Sequence, residues 1–101
     1  MFYLQIARHN PETCPLHHEA AKTPYNRFYA KLNELLQKDA IKIVGGWVST
    51  PEHLTTIVYD MKSPEAMAAF MREPEVAAWL SYQVTETRPV LMLDEVMKML
   101  K

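Results

Sequence analysis

Between Arg8 and Pro24 the chain reads RHNPETCPLHHEAAKTP, a stretch that holds three of the four histidines and the only cysteine. A thiolate and imidazoles together suit a transition metal: zinc, or copper or iron where a coordination position stays open. If Pro15 begins a helical turn, Cys14 precedes His17 and His18 by three and four residues, a spacing that sets side chains on one side of a turn. Two adjacent histidines do not comfortably bind one ion, so the expected ligands are His9, Cys14 and one of His17 and His18. Glu12 would suit iron in a mixed set. The spacing matches no paired zinc-ligand motif. Without a metal, the same residues read as a solvated connector with Cys14 as a small buried hydrophobe. A thiolate at Cys14 activated by a neighbouring imidazolium is a third use, although no resolving cysteine accompanies it.

A second set lies further on. Strand alternation gives His53, Thr55, Ile57 and Tyr59 one face, and Glu86, Arg88 and Val90 one face of a later strand. If both faces line a cavity, His53 and Tyr59 could act as acid or base and Arg88 could bind a carboxylate. The structural alternative is an ion pair between Glu86 and Arg88. The methionines Met67, Met71 and Met97 fall on helical stripes, so packing is the expected use of the methionine supply over copper binding. Trp47 and Trp79 read first as core or interface aromatics.

These residues need elements to hold them. Phe2 to Arg8 alternates Phe2, Leu4 and Ile6 with Tyr3, Gln5 and Ala7, the period of a strand, and His9 continues the second face. Thr23-Pro24 reads as a cap and first helical residue, followed by an apolar stripe of Tyr25, Phe28, Tyr29, Leu32, Leu35 and Leu36 down to about Lys38. Ile41 to Ser49 and His53 to Met61 read as an antiparallel hairpin, with a bulge expected at Gly45-Gly46. Ser63-Pro64 repeats the cap signal, and Pro74 divides or kinks the helix that follows. Tyr82 to Leu91 returns to strand, placed at a sheet edge by Pro89, and Asp94 caps a last amphipathic helix.

The order is βαββαβ plus a C-terminal helix, which favours an α+β, ferredoxin-like sandwich in one domain over residues 1–101. Two helices would cover one sheet face, leaving a second that alternation furnishes with Trp47, Ile57, Tyr59 and Val90. An apolar sheet face of that size calls for a partner, and a homodimer is the simplest. Eleven lysines and arginines nearly balance 12 aspartates and glutamates, so no basic excess points to nucleic acid. No apolar run reaches the ~18 residues of a membrane span, the N-terminus lacks the pattern of a signal peptide, and one cysteine forms no intrachain disulfide. A cytoplasmic location is therefore expected.

The segments IVGGWVSTPEHLTTIVYDMKSPEAMAAF, EPEVAAWL and TETRPVLML cover most of the chain after the opening loop. On these residues the chain resembles the dimeric α/β-barrel superfamily, and within it the small members whose domain has no assigned function. The resemblance implies two ferredoxin-like subunits packed sheet against sheet. It does not imply one activity, since that superfamily includes cofactor-independent monooxygenases, haem-degrading enzymes, isomerases and sensor domains. The functional expectation is a transition-metal site on the loop after the first strand, near the barrel mouth and suited to redox or oxygen chemistry. The alternatives are a metal-free monooxygenase or isomerase working through His53, Tyr59 and Arg88, and a small-molecule-binding or regulatory module without chemistry.

Overall fold

The computed structural model describes all residues from Met1 to Lys101. Four strands, β1 (Phe2–Arg8), β2 (Lys42–Ser49), β3 (Leu54–Asp60) and β4 (Val84–Val90), form one antiparallel sheet in the order β2-β3-β1-β4. Helices α1 (Glu19–Gln37), α2 (Pro64–Arg72), α3 (Pro74–Leu80) and α4 (Leu93–Met99) complete an α+β architecture compatible with the ferredoxin-like fold. No helix is long and apolar enough to cross a membrane.

The core lies on the Tyr3, Gln5, Ala7 side of β1. Those three are buried, together with Thr55, Ile57 and Tyr59 opposite them on β3, while Phe2, Leu4 and Ile6 lie half-buried on the other face. Against the buried face pack Tyr25, Phe28 and Leu32 of α1, Met67 and Phe70 of α2, and Val76 and Trp79 of α3. Phe28 and Trp79 stack with centroids 3.9 Å apart and planes 6° from parallel. Gln5 is satisfied in this core: it accepts from the Tyr59 hydroxyl at 2.8 Å and donates to Thr87 Oγ1 at 3.1 Å.

Four details correct or refine the sequence reading. Helix α1 begins at Glu19, so Pro24 sits inside it; Glu19, Ala20, Ala21 and Lys22 form helix readily, and burial of Ala21 anchors the added turn. Ile57 and Tyr59 belong to the helix-covered face and not to the open one. The hairpin register shifts between Ile43 and Gly45, so Ile43 pairs with Tyr59 but Gly45 and Trp47 pair with Val58 and Thr56. One extra residue inverts alternation, which is how Trp47 reaches the open face without Ile57. Finally, Met92 occupies the N-cap of α4 and Asp94 its first turn, and no residue of α4 is buried.

The Ser63-Pro64 start holds as read, with Ser63 Oγ accepting from the Ala66 N–H at 3.0 Å. The chain stops and restarts at Glu73-Pro74, giving two helices, and β4 with Pro89 is an edge strand.

Candidate metal centre

At the end of β1 the backbone continues its alternation by one residue, so the His9 side chain points to the helix-covered face and is buried. Beyond it, Pro11–Thr13 make a turn of 3-10 helix that brings Cys14 back beneath α1, also buried. The Cys14 carbonyl accepts from the His17 and His18 N–H groups at 3.1 and 2.9 Å, closing a turn that enters α1. His53 ends the β2-β3 turn with φ of 54°, a left-handed conformation uncommon for L-residues, among which asparagine, aspartate and histidine adopt it most often. That conformation coincides with an imidazole directed at the end of β1.

Ligand atoms of His9, Cys14 and His53 all lie within 4.8 Å of one another. His9 Nε2 and His53 Nδ1 are 3.3 Å apart. Two nitrogens bound at ~2.0–2.1 Å to one tetrahedral ion would stand ~3.3–3.4 Å apart, so the imidazoles already have the spacing of a shared ion. The other nitrogen of His9, Nδ1, lies 2.9 Å from the Tyr25 hydroxyl, and Gln83 Nε2 donates to that hydroxyl at 2.6 Å. A polar chain thus runs from His53 through His9 and Tyr25 to Gln83.

Burial, and secondarily the charge of His53, holds the His9 pKa below its ordinary value. Neutral imidazole, the form that ligates a metal, is favoured as a result. Burial also raises the Tyr25 phenol, so it remains protonated as a hydrogen-bonding group. A cavity of about 50 Å³ adjoins the cluster, with Tyr29 and Val48 among its walls.

The expected residues are only partly gathered here. His9 and Cys14 meet, whereas the side chains of His17 and His18 are exposed and outside the group, with Glu12 also exposed. His53 joins His9 and Cys14 instead of a set with Arg88. Tyr59 is fully buried, its hydroxyl committed to Gln5 and its pKa raised by burial. Arg88 pairs with Glu86 at 2.6 Å on the opposite, open face, across from Leu4. His53, Tyr59 and Arg88 therefore do not form one constellation. Tyr25 and Gln83 escaped the sequence reading, Tyr25 because it also belongs to the apolar stripe of α1. His53 was singled out by its residue type, but alternation grouped it with Tyr59 on the open face; its place in the turn before β3 and the pairing of β1 with β3 bring it to His9. No family model and no curated protein matches the chain.

Proposed function

We propose that the chain is a transition-metal-binding protein whose ion is held by His9 Nε2, Cys14 Sγ and His53 Nδ1. The convergence of these three atoms from two strand ends and a loop is the observation that carries the reading. For His9 to ligate through Nε2, its remaining proton must lie on Nδ1, which then donates to Tyr25; outer hydrogen bonds of this kind fix the tautomer of ligating histidines. Three protein donors leave a fourth position free on zinc, copper or iron, the pattern of a site that works on a bound molecule and not of a closed structural one. A bound ion would supply Lewis acidity or, if copper or iron, electron transfer.

The dimeric barrel belongs to the same proposal. The open sheet face presents Leu4, Ile6, Val58 and Trp47 without cover, and α4 has no buried residue, which supports a second copy packing there. The presence of a single cysteine, with no intrachain disulfide to form, supports a cytoplasmic setting.

Metal content of untagged protein prepared without chelators tests the site. Near-stoichiometric metal is expected, lost in Cys14→Ser and in His53→Ala and kept in His17→Ala and His18→Ala. Metal unchanged in the first two variants would falsify the assignment.

A further inference from the structure

Resting on that metal reading, we infer that the fourth coordination position admits only a small exogenous ligand of two or three heavy atoms, the class of dioxygen, nitric oxide, cyanide or azide. The cavity that adjoins His9, Cys14 and His53 measures about 50 Å³. Roughly 10–15 Å³ is needed to hold one water, so the ion's own place and a few atoms beyond it fill the space. Tyr25 and Tyr29 from α1 wall it on one side and Val48 from β2 on another. Tyr25 is fixed by its bonds to His9 and Gln83, and Tyr29 leans against both Tyr25 and Phe28. Within the cavity an aromatic or branched group finds no room beside the ion unless Tyr29 or Val48, both exposed on their outer sides, gives way. The chemistry that fits is binding or activation of a small molecule at the metal, and not positioning of a larger substrate by the pocket.

Cobalt(II) loaded anaerobically into the whole chain reports on both levels. A thiolate-to-cobalt charge-transfer band, lost in Cys14→Ser, reads the three-ligand site; the visible ligand-field bands read the fourth position. Azide is expected to shift the ligand-field bands saturably, whereas imidazole leaves them unchanged in the natural sequence and shifts them in Tyr29→Ala. If imidazole perturbs the natural protein as azide does, or if azide has no effect on a cobalt site with its thiolate band intact, the size restriction is wrong while the metal site stands. Absence of the thiolate band removes both.

Discussion

His9 and His53 are joined through their backbones as well as their rings: the His9 N–H donates to the His53 carbonyl at 3.1 Å. The bond extends the β1-β3 ladder one step past Arg8 and Leu54. Ring placement is consequently tied to sheet register, and a metal would find two of its three donors fixed before it arrives.

The depressed pKa of His9 makes the metal-free protein sensitive to acid. As pH falls through about 6.5 the unfolded chain takes up a proton on His9, whereas the folded chain resists until its lower pKa is reached. The unfolded state then binds more protons, so stability drops as pH falls across that window. The melting temperature of chelator-treated protein should therefore decline as pH falls below about 6.5, with a shallower slope in His9→Gln. An equal slope in the variant would assign the effect elsewhere.

Tyr25→Phe removes the partner of His9 Nδ1 and leaves Gln83 Nε2 without its acceptor. Metal affinity should fall about 10–100-fold while the three ligands remain, since losses of this size follow removal of outer hydrogen bonds. Competition against a chromophoric chelator measures it, and undiminished affinity would deny Tyr25 the orienting role.

The left-handed backbone at His53 costs up to about 1–2 kcal/mol in an L-residue, and glycine escapes that cost. His53→Gly should thus be neutral or stabilising in urea unfolding of the metal-free protein, yet lose the metal. Destabilisation by more than ~1 kcal/mol would mean that the imidazole contributes more to folding than its backbone takes away.

Leu4→Glu places a carboxylate at the centre of the open sheet face without touching the core. Sedimentation should show a dimer for the natural sequence and a monomer for the variant, each with the same circular dichroism. A monomeric natural protein would leave the apolar face to some other partner.

Much of the fold was legible because local chemistry and tertiary demand agree. The limits of β1 follow from its alternation, and the second helix from Ser63 and Pro64, whose cap bond forms as expected. Thr23-Pro24 carries the same two-residue signal and marks nothing, because good helix formers precede it and α1 runs through. The identity of the core face was harder. Both faces of β1 are substantially apolar, and only the helices decide that Tyr3, Gln5 and Ala7 are the ones covered.

The candidate site was half legible. Density of ligand-type residues singled out His9 and Cys14, but nearness in sequence nominated His17 and His18, whose side chains turn to solvent. The third ligand comes from a hairpin turn that strand pairing delivers to the same corner. Distance along the chain concealed it, and antiparallel register supplies it.

Pro24 has a consequence for how the three donors are supported. Lacking an N–H, it leaves the Ala20 carbonyl without its helical donor. The first turn of α1 is thereby joined to the rest of the helix across a gap in the ladder, and the Cys14 loop hangs from that turn. His9 and His53 are held by the sheet, whereas Cys14 is held by the loop that enters α1 ahead of that gap. The three donors thus reach one corner on two separate supports, paired strands for the imidazoles and the start of a helix for the sulfur.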